Sequence, residues 1–455
     1  MENIYDLIVI GCGPGGMAAA IKASSLGLKT AVIEKDKPGG VCLHSGCIPS
    51  KAIIHKAELF RSQKELEEMG LKIDCNGFDY NKVFSYSKKT IGSLLKGTEF
   101  LLKKSGVFLI KSEAKITDMN EVILSNGAKL TAKSIIIATG SKFKEIPGCK
   151  IDEKEIISSL GALNLQKLPK RLMIIGSGPI GIEFAHIMNV FGVEVQIVEM
   201  MKSILPFEDT EIVDVLRRDF RRRGIAVYVG TKLVSAQKSD EGIKVVLEKE
   251  DGKLLEETVD KLLIAVGRTP NTQNVGLGNV NVQTDQGFIS VNDNYQTAVK
   301  SIYAVGDVIN TPMLAHVASK EGELAAENAA GLTSGKVEKS EIPRAVYCEP
   351  QIACFGYTET EVEEKGISYL KGICNFRSSS KAVAIGKPDG LIKVLCHKST
   401  KEILGVHIIG AEATELIHEM LLAKKSGIQI EAVGKMVHAH PSLSECIMEV
   451  AKAFA

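Results

Sequence analysis

Short apolar runs punctuated by glycine recur along the chain, and the stretch from Ile4 to Glu34 sets the pattern. Ile4 to Ile10 is apolar except at Asp6, the pattern of a strand buried on both faces. The cluster Gly11-Cys-Gly-Pro-Gly-Gly16 follows, then an alanine-rich helix to Gly27 and a second strand, Thr30-Ala-Val-Ile-Glu34. The same order returns at Leu172-Met-Ile-Ile-Gly-Ser-Gly-Pro-Ile-Gly181, a helix toward Gly192, and Glu194-Val-Gln-Ile-Val-Glu199. Between the two, residues 79–104 predict a long amphipathic helix and 134–140 a buried strand ending in a glycine turn. After the second unit come a helix near 209–224, short strands over 226–248, an apolar segment at 262–270, a strand at 301–307 and a helix over 314–330. Gly331 to Gly335 reads as a linker. Beyond it, alternating segments at 368–375, 389–397 and 403–409, with helices near 411–427 and 442–453, predict an antiparallel α+β domain.

Each glycine set carries chemistry. In Gly11-x-Gly13-x-x-Gly16 the first glycine permits the tight turn, the second lets backbone approach a pyrophosphate, and the third lets helix pack on strand. Glu34 ends the second strand of this unit, where a carboxylate accepts bonds from ribose hydroxyls. Gly176, Gly178 and Gly181 repeat the set, and Glu199 stands as far beyond Gly181 as Glu34 does beyond Gly16. A lone GxGxxG is also compatible with a plain structural turn; set inside a strand-helix-strand unit with its acid, it points to a dinucleotide. Two complete sets imply two dinucleotides. Glu199 favours NAD over NADP because it repels a 2′-phosphate, with nearby Lys202 the opposing signal. Cys12, inside the first turn, reads as a small filler.

With 455 residues the chain has room for about three domains. Fifty-six basic and fifty-five acidic residues leave a net charge of +1, so no global field draws nucleic acid or an anionic membrane. No apolar run reaches the length of a membrane span, and the first strand starts too early for a signal or transit peptide. The ten cysteines are too sparse for a disulfide scaffold and read as reduced thiols of a cytoplasmic protein. Cys348 and Cys354 lie close in sequence, but no nearby His or Cys completes a zinc spacing, so both read as structural and no metal is expected.

Cys42 and Cys47, within Gly39-Gly-Val-Cys-Leu-His-Ser-Gly-Cys-Ile-Pro-Ser-Lys51, are different. Positions five apart in a regular helix are too distant to bridge, so a disulfide here needs a broken backbone, which Gly46 and Pro49 permit. So short a loop gains little chain entropy from closure, so a bridge would serve redox cycling rather than stapling. Taken alone, the spacing also fits two unrelated buried thiols. Near the C-terminus, Met436-Val-His-Ala-His-Pro-Ser-Leu-Ser-Glu445 offers an acid-base candidate in His440, with Glu445 to orient it and His438 as competitor.

The order GxGxxG, GGxCxxxGCxPSK, ATG, a second GxGxxG, AVGRTPN, YAVGD, LAHxAxxEG and HAHPSLSE resembles the flavin-dependent pyridine nucleotide-disulfide oxidoreductases from end to end. It is most similar to members that oxidise dihydrolipoyl groups. The resemblance implies an α/β fold: two Rossmann-like dinucleotide-binding domains and a C-terminal α+β dimerisation domain. Its implied limits are 1–145 and 266–335 for the FAD domain, 146–265 for the NAD domain and 336–455 for the dimer interface. FAD would lie on Gly11, Gly13, Gly16 and Glu34, with Lys51, Thr139, Gly140, Asp307, Ala315 and His316. NAD would lie on Gly176, Gly178, Gly181, Glu199 and Gly267. Cys47 would be the flavin-proximal sulfur and Cys42 the one exchanging with substrate, while Lys51 and Glu183 would form a buried pair. The histidine before proline, His440, would be the base in a homodimer, completing the partner subunit's site with Glu445. Lipoylated partners, an acyltransferase core or a glycine-cleavage H-type protein, would carry the substrate.

Two positions depart from the family. Val41 replaces a threonine, removing a hydroxyl near the FAD phosphates, and His44 replaces an asparagine, putting an imidazole between the cysteines. Rival readings are another NAD(P)H-dependent flavoprotein disulfide reductase and a complex scaffold with little stand-alone activity. The absence of a terminal cysteine pair disfavours mercuric and large thioredoxin reductases, and Glu199 disfavours a glutathione reductase.

Overall fold

A computed structural model of the chain describes residues 4–454. They form two units by backbone contact. One comprises residues up to Ile53, Asn81–Lys144 and Gly267–Val337; the other comprises Ile54–Tyr80, Glu145–Val266 and from Glu338 on.

The first unit is organised around Ile4–Ile10, whose apolar run is buried because parallel strands flank it on both sides. Ile8 pairs with Ala31 on one side and Ile135 on the other. The strand Lys129–Ile137 in turn pairs with Ile302–Ala304, so the glycine turns after Ile10, Ile137 and Ala304 all lie at the carboxyl edge of one sheet. In open α/β sheets that edge is where ligands bind. Phe108–Lys111, Ala114–Asp118 and Glu121–Leu124 extend this sheet, although none of them was expected as a strand. They alternate poorly and are half exposed, so they carry no clear period.

The second unit repeats the parallel arrangement around Arg171–Ile175, flanked by Glu194–Val198 and Lys261–Ile264. A three-stranded antiparallel sheet, Thr231–Ser239, Gly242–Lys249 and Leu254–Val259, lies between these strands in sequence. Its third strand, Leu-Leu-Glu-Glu-Thr-Val, was hidden by its acidic residues. The C-terminal part is the expected antiparallel sheet, here five-stranded, with Arg344–Val346 and Gln351–Gly356 added before the three strands anticipated. Ala413–Lys425 and Glu445–Lys452 pack into its core through Ile417, Met420, Ile447 and Val450. Residues 54–80 belong to this second unit, where Phe60 and Phe78 pack against Phe191. Among the described residues no helix is long and apolar enough to cross a membrane.

Candidate active site

The two glycine turns have the same construction. Gly11 and Gly176 each adopt φ of +100°, and a Cβ on Gly16 or Gly181 would overlap the carbonyl oxygen of Gly11 or Gly176. Only glycine lets these helices sit on their strands. By contrast, a Cβ on Gly178 meets nothing within 4 Å, and one on Gly13 meets only Gly40 Cα at 4.0 Å. The open space lies over helices that begin with Pro14 and Pro179, have no side-chain cap and carry no acid in the first turn. Such N-termini present unpaired N–H groups to an anion.

The acids are held in matching fashion. Glu34 accepts the Cys12 N–H at 2.8 Å and the Asp36 N–H at 2.9 Å. Glu199 accepts the Ser177 N–H and hydroxyl at 2.9 and 2.7 Å, and the Met201 N–H at 2.8 Å. A carboxylate offers about four lone-pair sites, so both keep capacity for ribose hydroxyls. Cys12 is indeed a buried filler, its thiol pushed up to about 12, chiefly by burial. Lys202 reaches Glu250, at 3.6 Å, which blunts the signal for a 2′-phosphate.

The cysteine segment is docked directly on the first turn. Gly39, at φ +104°, donates its N–H to the Cys12 carbonyl at 2.7 Å, and a Cβ on Gly40 would sit 2.7 Å from Gly13 Cα. Gly40–Ser45 then makes a short helix, Gly46 breaks it at φ −145°, ψ −113°, and Cys47–Arg61 makes the next. That break is the irregularity the spacing demands. Cys42 stands against Cys47, and its contact with Cys47 first, then burial, pushes its thiol up, while Lys51 pulls it the other way. Lys51 lies one turn beyond Cys47, on the same helix. His44 has a plain role: its Nε2 lies 2.9 Å from the Pro38 carbonyl and pins the short helix to the preceding loop. Val41 is exposed.

At the same sheet edge, the turn Gly306–Val308 presents Asp307, which accepts a hydrogen bond from the Ser141 hydroxyl. Arg268 donates to that hydroxyl at 2.6 Å and to the Ser141 carbonyl at 2.7 Å, and its Nε is 4.0 Å from Asp307. Burial lowers the Arg268 guanidinium, while Asp307 and Cys47 act in the opposite sense. Behind the turn, Glu321 accepts the Gly306 N–H at 2.8 Å, and burial raises its carboxyl to about 7. Thr139 and Asn271 exchange two hydrogen bonds, at 2.7 and 3.1 Å, beside Gly140. The Gly267 carbonyl accepts the Lys144 N–H at 3.1 Å, and Ala315 and His316 open the helix Ala315–Ala329. Arg268, Ser141 and Glu321 were given no role from sequence. Arg268 and Glu321 stand inside quoted motifs, AVGRTPN and LAHxAxxEG, but only the fold shows what they hold.

In the second unit, Glu183 is buried on the helix Pro179–Val190 and accepts the Tyr347 N–H at 3.2 Å. His440 Nδ1 lies 2.9 Å from Glu445, whose other oxygen accepts the Ser442 N–H at 2.8 Å. The Ser442 bond first, then His440, holds Glu445 below the usual carboxylate range. With Nδ1 committed to the carboxylate, Nε2 is the nitrogen left to take a proton. His440 is 70% exposed at its side chain and His438 5%; His438 is tied to Glu419 at 2.8 Å. Both histidines have a carboxylate partner, so exposure is what separates them.

Known proteins match this arrangement throughout. Residues 5–322 match the pyridine nucleotide-disulphide oxidoreductase family and 342–451 its dimerisation domain. The chain is 38% identical to the dihydrolipoyl dehydrogenase of Bacillus subtilis, covering 100% of this chain and 98% of that one. It is 40% identical to the mitochondrial dihydrolipoyl dehydrogenase of Pisum sativum, covering 98% and 91%. It is 41% identical to a leghemoglobin reductase of Vigna unguiculata, covering 98% and 87%. LpdA from Mycobacterium tuberculosis superposes with a TM-score of 0.91 at 25% identity over 99% of each chain. With two nucleotide turns, a paired dithiol and whole-length relatives, the chain belongs to the pyridine nucleotide-disulphide oxidoreductases, flavoenzymes that bind FAD and NAD(H).

Proposed function

We propose that the chain is a dihydrolipoyl dehydrogenase that oxidises protein-bound dihydrolipoyl groups with NAD⁺ as acceptor. The observation carrying this reading is the Cys42–Cys47 pair, bent round Gly46 and docked through Gly39 and Gly40 on the first nucleotide turn. Its relatives named dihydrolipoyl dehydrogenase supply the substrate class.

Turnover begins with the cysteines joined as a disulfide. His440 Nε2 takes the proton of one substrate thiol, and the thiolate attacks Cys42 Sγ. The Cys42–Cys47 bond breaks and Cys47 leaves as thiolate. The second substrate thiol attacks the substrate sulfur of the mixed disulfide, closes the lipoyl ring and displaces Cys42, and its proton passes to the departing Cys42 sulfur. Two electrons then rest on the dithiol. FAD and NAD, when bound, supply the relay that carries this electron pair onward as hydride. FAD would be held by Gly11, Gly13, Gly16, Glu34, Lys51, Thr139, Gly140, Asp307, Ala315 and His316, and NAD by Gly176, Gly178, Gly181, Glu199 and Gly267. Lys51 stabilises thiolate at the pair, and Glu445 stabilises the imidazolium.

We assign residues 1–145 and 266–335 to the FAD domain, 146–265 to the NAD domain and 336–455 to the interface of a homodimer. In that dimer His440 and Glu445 serve the partner's dithiol. The substrate arrives on a lipoylated acyltransferase core or a glycine-cleavage H-type protein in the cytoplasm. Steady-state oxidation of free dihydrolipoamide tests the reading: NAD⁺ should support turnover and NADP⁺ very little. A protein inert with both acceptors would be a complex scaffold.

A further inference from the structure

Cys354, His407 and Glu208 come from distant parts of the chain and place one ligand atom each within 4.8 Å of one another. Cys354 and His407 are directly opposed on the antiparallel strands Gln351–Gly356 and Ile403–Gly410, and both are fully buried. Glu208 reaches them from the loop before the helix Thr210–Arg222.

His407 is prepared as a ligand. Its Nε2 lies 2.9 Å from the Tyr357 carbonyl, which can only accept, so Nε2 carries the proton. On the other side of the ring, Nδ1 is buried and has no hydrogen-bond partner. An orphaned buried acceptor is costly, and a ring nitrogen oriented by a carbonyl on its far side is the usual state of a metal-bound histidine. The Cys354 thiol and a Glu208 carboxylate oxygen face the same point, within 4.8 Å of each other and of the ring. Arg344 takes one position on each Glu208 oxygen, at 2.9 and 3.0 Å, leaving further lone pairs. The surroundings are rich in carboxylate: Glu208, Asp209, Glu211 and Glu359 face Arg344, Lys371 and Lys393.

We propose that Cys354, His407 and Glu208 supply three ligands to a bound zinc ion. The Zn²⁺ ion binds between the three side chains: it replaces the Cys354 thiol proton, which leaves to solvent, a Glu208 oxygen becomes the carboxylate ligand, and His407 Nδ1 becomes the nitrogen ligand. One thiolate, one imidazole and one carboxylate make a borderline donor set that suits zinc over calcium or magnesium. Ligand atoms around zinc stand roughly 3.5 Å apart, so side-chain shifts of about 1 Å close the site. The ion would clip the loop before Thr210–Arg222 to the C-terminal sheet.

The test uses full-length FAD-loaded protein in which Cys42 and Cys47 are both serine, so that the catalytic dithiol cannot bind metal. Titration with Co²⁺ should give one equivalent per chain, a near-ultraviolet thiolate-to-cobalt band, release of one proton and displacement by Zn²⁺. Adding Cys354→Ser should abolish the band and weaken Zn²⁺ binding by at least about 100-fold. Should that variant fail to hold flavin, Glu208→Gln keeps the thiol and should weaken binding at least about 10-fold. Absence of the band in the parent, its persistence in Cys354→Ser, or unchanged affinity in Glu208→Gln overturns the site.

Discussion

Glu321 shows what a single buried acid does to this fold. Its carboxyl is raised from its ordinary value to about 7, first by burial, although it accepts the Gly306 N–H behind Asp307. A raised acid binds a proton in the folded state that the unfolded chain has already released. Its contribution therefore favours folding at low pH and is lost as pH rises from about 4.5 to about 7. The stability difference between wild type and Glu321→Gln, from urea unfolding, should shift against wild type between pH 5 and pH 8. A pH-independent difference would remove Glu321 as the cause. His440 is the other residue-scale case. Glu445→Gln keeps a hydrogen-bond acceptor but removes the charge that stabilises imidazolium, so kcat should fall by about 10- to 1000-fold and the acidic limb of activity shift to lower pH. The two residues differ in legibility. His440 and Glu445 could be read from one short segment because their contact is local. Glu321 could not, because its meaning lies in Gly306, across a turn and on a different element.

Among elements, the glycine turns were the most legible, since each is built within a single strand-helix-strand unit and its steric demands fall on single positions. Gly181→Val would force a side chain into the Gly176 carbonyl and lift the helix from its strand. NADH affinity should drop at least tenfold while flavin content per chain is unchanged, measured by quenching titration and visible absorbance. Loss of flavin instead would mean that the second turn does not act separately. The dithiol helix was half legible. The spacing of Cys42 and Cys47 demanded a break, and Gly46 supplies it, but docking on Gly13 needs the tertiary fold. His44, chemically suspicious in sequence, proves to be a tether to Pro38. The C-terminal sheet hides another element-scale feature. Lys393 is fully buried among Asp209, Glu211 and Glu359 at 2.9, 2.5 and 2.6 Å. Alternation marked its strand, yet an inward lysine runs against that pattern and only its distant partners explain it. A cation is tolerable there because the carboxylates around it offset its lost hydration.

For the whole molecule, composition excluded a global field for nucleic acid, and motif order along the entire chain specified the family. Strand order and the packing of residues 54–80 depend on contacts far apart in sequence and left no local mark. The homodimer has a direct consequence if each subunit's His440 serves its partner's dithiol. Cys47→Ser and His440→Gln chains, each nearly inactive, should regain about a quarter of wild-type activity when refolded together, because half the dimers are mixed and each mixed dimer has one intact site. No recovery would place base and dithiol of one site on the same chain.

In the proposed reaction, electrons from dihydrolipoyl thiols pass through Cys42 and Cys47. The most direct measurement of that route is an anaerobic spectral titration of the yellow holoenzyme with dihydrolipoamide, followed by NAD⁺, in wild type and Cys47→Ser. Wild type should develop the long-wavelength thiolate-to-flavin absorbance and then reduce NAD⁺, while Cys47→Ser should show neither. Full lipoamide turnover in Cys47→Ser would mean that the electrons take another route.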